Sequence, residues 1–84
     1  MIKNKVIELN DGINYYVLEE VSHDNKKYIL TVECDLENEN LNADEFLVME
    51  IKISGTDLIT SPIEDDELSK LITKMLLDKI KNNN

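Results

Sequence analysis

The stretch EDDELSKLITKMLLDKIK, residues 64–81, decides the fold class of this chain. Its apolar residues recur at steps of three and four, which places them on one stripe of a helix. These residues are Leu68, Leu71, Ile72, Met75, Leu76 and Ile80. The acids that open the stretch suit the positive end of a helix dipole, and Lys79 and Lys81 suit the negative end. We take Asp65 as the N-cap, so the stretch predicts an amphipathic helix in need of an apolar surface to cover.

The residues before the helix predict short strands that supply this surface. Residues 27–35 alternate most clearly, with Tyr28, Leu30, Val32 and Cys34 on one face and Ile29 as the exception. In residues 46–54 one face is shared by Leu47, Met49, Ile51 and Ile53. Further strands are predicted at 5–9, 13–21 and 58–63. Turns are predicted at 10–12, 22–26 and 55–57, and an acidic loop at 36–44.

Short connections make neighbouring strands antiparallel. The sequence therefore predicts an α+β fold, a four- or five-stranded antiparallel meander sheet with one C-terminal helix packed on one face. We expect a single domain over residues 1–84, with the sheet at 5–63, the helix at 65–81 and a frayed tail at 82–84. The helix should cover two rows of side chains. These are Tyr28, Leu30 and Val32 in one row and Leu47, Met49 and Ile51 in the other.

Length and composition exclude several classes of protein. The 84 residues are 42% hydrophobic and 32% charged. No stretch approaches the roughly 18 apolar residues of a membrane-spanning helix, and the N-terminus does not resemble a signal peptide. A single cysteine, Cys34, excludes an internal disulfide and a thiolate zinc site. We therefore expect a soluble, cytoplasmic protein that does not bind membranes.

The charge is large, negative and uneven. The chain has 18 acids and 9 bases, all of them lysine, for a net charge of −9. Between residues 33 and 67 lie 12 of the acids and one base, Lys52, a net charge of −11. The missing arginine and the negative charge both disfavour direct binding of nucleic acid. The negative charge instead favours a partner protein with a basic patch.

The order of four short segments resembles a known family. A turn at Asp11-Gly12 leads into YYVL at 15–18, followed by KYIL at 27–30, EFLVMEI at 45–51 and IEDDEL at 63–68. Over about residues 8–80 this order is similar to the YrzB-type family of small acidic proteins from low-GC Gram-positive bacteria, a domain of unknown function. The C-terminus departs from that family, because this helix ends in lysines and asparagines rather than acids. The resemblance implies the fold and a bacterial cytosolic setting, and it offers no catalytic residues to carry over.

Candidate chemistry in the sequence is sparse. Residues 35–45 are rich in carboxylates. When Asp35 is counted as position 1 of a twelve-residue calcium loop of the EF-hand type, however, Asn40 falls at position 6, where glycine is needed, and Phe46 at position 12, where glutamate is needed. His23 lies in a predicted turn beside Asp24. Cys34 lies between two acids, which disfavour a thiolate. We predict no catalytic, cofactor-binding or metal-binding residues, and hence no enzyme.

Partner binding is the better-supported class. Leu77 interrupts the polar side of the helix, and Tyr15 and Tyr16 point to opposite faces of their strand, so one of them should face outward. The candidate partner-binding residues are Leu77, Tyr16, Glu37, Glu39 and Asp44. The leading hypothesis is a non-enzymatic protein-protein interaction or regulatory module. Two alternatives stay open, a nucleic-acid mimic that inhibits a DNA- or RNA-binding protein and a metal-dependent enzyme using the loop 35–45. A homodimer is also left open.

Overall fold

A computed structural model describes residues 2–9, 11–35 and 40–82, without the side chains of residues 35 and 40–45. Over this part of the chain there are five strands and one helix. They are β1 (Val6–Glu8), β2 (Asn14–His23), β3 (Lys26–Asp35), β4 (Asn40–Ser54), β5 (Asp57–Pro62) and α1 (Asp66–Asn82). All neighbouring strands are antiparallel and follow one another in the order of the chain. The predicted α+β meander with a C-terminal helix is confirmed, and the sheet curls into a half-barrel.

Tight turns fix the register of the β2–β3 and β4–β5 hairpins. Asp24 and Asn25 both have positive φ, at 51° and 65°, and join β2 to β3 as a two-residue turn. Positive φ at both central residues matches the right-handed twist of the flanking strands. The predicted five-residue turn at 22–26 is therefore too long, and β2 runs on to His23. Gly55, with a φ of 64°, opens the equally short turn between β4 and β5.

The helix covers one face of the sheet. Tyr28 and Leu30 on β3 pack against Ile72 and Leu76 on α1, and all four side chains are buried. The packing prediction is confirmed for Tyr28 and Leu30, whereas Val32, the third residue of the predicted row, is buried outside this cluster. Leu71, placed on the apolar stripe by its spacing, is 44% exposed and so lies outside the contact.

The other half of the packing prediction is wrong. Met49 and Ile51 lie on the opposite face of the sheet, in a second core with Val17 and Ile29. The reason is register, since directly paired residues share a face. Leu30 pairs with Val48, and Ile29 pairs with Met49. Ile29, the exception to the alternation, is thus a central residue of a second core. Partly buried residues complete it, namely Ile2, Ile7, Leu9 and Leu58.

The predicted acidic loop is shorter than expected, because β4 begins at Asn40 rather than Phe46. Asn40 pairs with Asp35 and Leu41 with Cys34, beyond an irregularity between Val32 and Cys34. The polar residues of this segment have low strand propensity, so pairing with β3 rather than their own preference holds the backbone extended.

Candidate interaction surface

Two consecutive acids interrupt the apolar face of β2 at a bulge. The register against β3 shifts between Val17 and Glu19, and Glu19 is only 1% exposed. Its carboxylate accepts a hydrogen bond from the Glu20 N–H at 3.0 Å. It also lies 2.9 Å from Lys3 Nζ and 3.6 Å from Lys79 Nζ. This group, Lys3, Glu19, Glu20 and Lys79, is called the β2 clasp below, because it joins the N-terminal segment, β2 and α1.

The electrostatics of the β2 clasp favour the charged form of Glu19. Burial alone would raise the pKa of its carboxyl group. Hydrogen bonds from Lys3 and the Glu20 N–H and the positive charges of Lys3 and Lys79 outweigh the effect of burial, so the pKa of Glu19 is lowered. A carboxylate with a lowered pKa is a weak base and is not available as an acid at neutral pH. The arrangement therefore suits a structural role. Glu20 is also buried, and within the described residues its Oε1 atom has no hydrogen-bond partner.

The edge of β2 beyond β1 is closed by the same residues. β1 pairs with β2 only as far as Tyr16, so the second half of β2 forms part of the sheet edge. There Lys79 Nζ donates a hydrogen bond to the Glu20 carbonyl oxygen at 2.7 Å. A bulge and an inserted lysine are two ways in which natural proteins block the addition of another strand.

The edge formed by β5 has a different character. Exposed apolar side chains lie on the β4–β5 hairpin, with Ile53 65% exposed and Ile59 49% exposed. Asp57 begins the strand, and the four acids Glu64–Glu67 follow it; all five are exposed. We call residues 64–67 the acidic corner.

The acidic corner is held in place by the start of the helix. Asp65 Oδ1 accepts hydrogen bonds from the N–H groups of Glu67 at 2.9 Å and Leu68 at 3.2 Å. This confirms Asp65 as the N-cap, and it satisfies two of the amides that a helix leaves free at its first turn. The corner therefore presents four exposed acids at a fixed position, from the link after β5 to the first turn of α1.

A shallow cleft of about 300 Å³ lies beside the acidic corner. Its walls combine the apolar residues Pro62, Ile63 and Leu68 with charged ones such as Glu64 and Asp65, so the lining is mixed. An ion pair between Lys26 Nζ and Glu50 Oε1, at 3.5 Å, lies at the same cleft. The surface around the end of β5 thus combines carboxylates with apolar side chains.

The structure describes the side chains of two sequence-predicted candidates, Leu77 on α1 and Tyr16 on β2. Leu77 is 46% exposed, as its position on the helix predicts, and it lines a shallow groove with Thr73 and Ile80. Tyr16 is half-buried, and its hydroxyl lies 3.2 Å from Asn4 Oδ1. Glu37 and Glu39 lie outside the described residues, and so does the side chain of Asp44.

Of the candidates for chemistry whose side chains are described, His23 lies at the end of β2 and Cys34 near the end of β3. His23 Nε2 lies 3.6 Å from Asp24 Oδ2, its neighbour in the turn. Cys34 is a buried free thiol on β3, as its alternation predicts. In the ranges that the structure describes, no three His, Cys, Asp or Glu side chains are grouped to hold a metal ion.

Sequence reasoning missed the β2 clasp and the contrast between the two edges. One signal was present, since two adjacent acids, Glu19 and Glu20, interrupt an apolar strand. Their partners Lys3 and Lys79 come from opposite ends of the chain and are invisible to local patterns.

Comparison with known proteins identifies a family. No described helix has the length and apolarity needed to cross a membrane. Neither the curated proteins nor the solved structures contain a significant match to the chain. One family model, described as "Protein of unknown function (DUF1292)", matches residues 8–78, from β1 through most of α1. The chain therefore belongs to the DUF1292 family of proteins of unknown function.

Proposed function

We propose that this protein is a non-enzymatic interaction module that binds a basic partner protein through the surface formed by β5 and the acidic corner. The observation that carries the proposal is the exposure of Asp57 and of all four acids of the corner, with the exposed Ile59 on the same side of β5 as Asp57. Interfaces commonly combine an apolar centre with a polar rim.

The distribution of charge supports a basic partner. The 35 residues from 33 to 67 contain 12 acids and one lysine. An uneven field of this kind raises the association rate of an oppositely charged partner and repels one of like charge. The effect acts over a screening length of about 8 Å at physiological salt, so the partner's basic groups must lie at the interface itself.

Affinity capture from the native cytosol at low and at physiological salt tests this proposal. Any stoichiometric partner would then be purified and its Kd measured by calorimetry at both salt concentrations. We expect a basic partner whose affinity falls as salt rises. The absence of a stoichiometric partner, or a Kd indifferent to salt, contradicts the proposal.

Two matched variants locate the binding surface. The first replaces three acids of the corner, Glu64→Gln, Asp66→Asn and Glu67→Gln, and leaves the capping residue Asp65 intact. The second replaces three exposed lysines of α1 by glutamine, Lys70, Lys74 and Lys81. The first should weaken binding and the second should not. A competition assay with duplex DNA shows separately whether the partner is a nucleic-acid-binding protein.

A further inference from the structure

The free edge of β5 has a defined set of outward hydrogen-bonding groups. Ser54 and Asp57 flank the two-residue turn and pair with each other. In a hairpin of this kind the pair next to the turn is hydrogen-bonded, and bonded and non-bonded pairs then alternate. Ile59 and Ser61 therefore bond to β4. Leu58 and Thr60 direct their N–H and C=O groups away from β4, towards the open edge.

Pro62 fits this alternation and marks the end of the usable edge. It pairs with Met49, and by the alternation this is a non-hydrogen-bonded pair. A proline at such a position breaks no hydrogen bond between β4 and β5, because its missing N–H would have pointed away from β4. Its missing N–H shortens the edge, so the outward donors are those of Leu58 and Thr60. This contrasts with the edge of β2, which the bulge and Lys79 close.

The two sides of β5 differ in chemistry. Leu58, Thr60 and Pro62 share the face of the second core, because Leu58 packs against that core and Thr60 and Pro62 pair with its members Ile51 and Met49. On that side an apolar cavity of about 160 Å³ separates β5 from Leu9 at the end of β1. Cavity-lining residues include Leu47, Met49 and Pro62. The other side carries Asp57, Ile59 and Ser61, and the acidic corner follows the strand.

From this geometry we infer that the β5 edge binds an extended segment of the partner protein as an added strand, in which apolar residues alternate with lysine or arginine. The inference rests on the proposed function and deepens it. Main-chain bonds form to Leu58 and Thr60, which is how exposed sheet edges capture peptides. Apolar side chains of the segment face the cavity lined by Leu9, and basic side chains face Asp57 and the acidic corner.

Charge selects this occupant over a second copy of the chain. Each copy carries a net charge of −9, so two β5 edges would bring like charges together. A basic segment instead neutralises exposed acids.

An NMR titration with a defined probe tests the inference on the whole chain. The probe is a seven-residue peptide of alternating lysine and valine with blocked ends, and its control replaces each lysine by glutamate. In the free protein the amides of Ile59 and Ser61 should exchange with solvent slowly and those of Leu58 and Thr60 quickly. At about ten times its Kd the lysine probe should slow exchange at Leu58 and Thr60 roughly tenfold.

A substitution at Thr60 removes one outward donor. Thr60→Pro should weaken binding of the lysine probe about threefold to tenfold, as expected for the loss of one hydrogen bond. Because Pro62 already occupies the same phase of the strand, the variant should fold, and its thermal unfolding midpoint checks this. Thr60→Val keeps the N–H and should bind like the natural chain. If Thr60→Pro does not fold, the exchange measurement on the natural chain decides alone.

The possible failures are distinguishable. If the lysine probe or the captured partner binds without slowing exchange at Leu58 and Thr60, the edge inference is overturned while the proposed function stands. Equal binding of the glutamate probe overturns the selection of a basic segment. Protection of Leu58 and Thr60 without any probe, in a chain that sediments as a dimer, assigns the edge to a second copy and also overturns the inference. Failure of the cytosolic capture bears on the proposed function itself.

Discussion

The two faces of the sheet are covered in different ways. On one face a single helix supplies Ile72 and Leu76 to a core with Tyr28 and Leu30. On the other face no helix is present among the described residues, and the second core, around Ile29, is covered by partly buried side chains from the N-terminal segment, β1 and β5. A chain of this size can therefore build two thin cores by curling its sheet, rather than one core beneath the helix.

Large-to-small substitutions in the two cores should give the largest effects and show whether the cores are energetically equivalent. Leu76→Ala and Ile29→Ala each remove a fully buried aliphatic side chain. Each should lower the free energy of unfolding by about 2–5 kcal/mol, through lost transfer free energy and the cavity left behind. Urea unfolding followed by circular dichroism measures both. A loss near zero for Ile29→Ala alone would mean that the second core contributes little.

Exposed residues next to each core provide matched controls. Leu77→Ala on α1 and Ile53→Ala on β4 truncate aliphatic side chains that are 46% and 65% exposed. Each should change the free energy of unfolding by less than about 0.5 kcal/mol. Comparable losses for a core variant and its control would show that burial does not determine the effect.

The helix-covered face was predictable from the sequence, and the second core was not. Periodicities of 3.6 and 2 in residues 64–81 and 27–35 are local, so they identify α1 and β3 without tertiary information. The second core depends on which residue of β4 lies opposite Ile29, and a shift by one position exchanges the two faces. Residues 46–49 are apolar on both faces, so their pattern could not decide between Val48 and Met49.

The sequence predicted the negative charge of the candidate surface but not where in the fold that surface lies. The acid excess between residues 33 and 67 is visible in the sequence, and Leu77 was correctly expected on the exposed side of α1. The position of β5 at an edge follows from the predicted meander, and Pro62 also marks this strand as an edge. Which backbone groups of β5 face outward depends on its register against β4, which the sequence pattern leaves open. The β2 clasp joins residues 3, 19 and 79, and such separations leave no local pattern.

The β2 clasp connects the covers of the two faces, and its loss should have an intermediate effect that depends on pH. Glu19→Gln should lower the free energy of unfolding by about 1–3 kcal/mol at neutral pH, because Lys3 and Lys79 lose a charged acceptor. The pKa of Glu19 is lowered in the folded chain, so its contribution is fully present above its ordinary value of 4.5. It is lost as the pH falls through the lowered value. The difference between the natural chain and the variant should therefore shrink in acid.

Glu8→Gln is the control for this prediction, because Glu8 is an exposed glutamate on β1. Urea unfolding of the three proteins between pH 7 and strongly acidic conditions separates the effect of Glu19 from the titration of the other carboxylates. A gap between Glu19→Gln and the natural chain that stays constant with pH would contradict the lowered pKa of Glu19.

The smallest effect should follow from removing the cap that starts the helix, and it should be confined to one face of the sheet. Asp65→Ala leaves the N–H groups of Glu67 and Leu68 without the acceptor that they have in the structure. The free energy of unfolding should fall by about 0.5–2 kcal/mol. Asp66→Ala removes an equal charge one residue later and keeps the cap, so it should cost less.

Amide hydrogen exchange shows whether the effect of Asp65→Ala is confined to the helix-covered face. Fraying should speed the exchange of amides in the first turn of α1. The amide of Ile29, in the second core, should change its exchange rate only by as much as global stability changes. Faster exchange at both places, beyond the change in global stability, would mean that the helix and the second core open together and that the two faces form one cooperative unit.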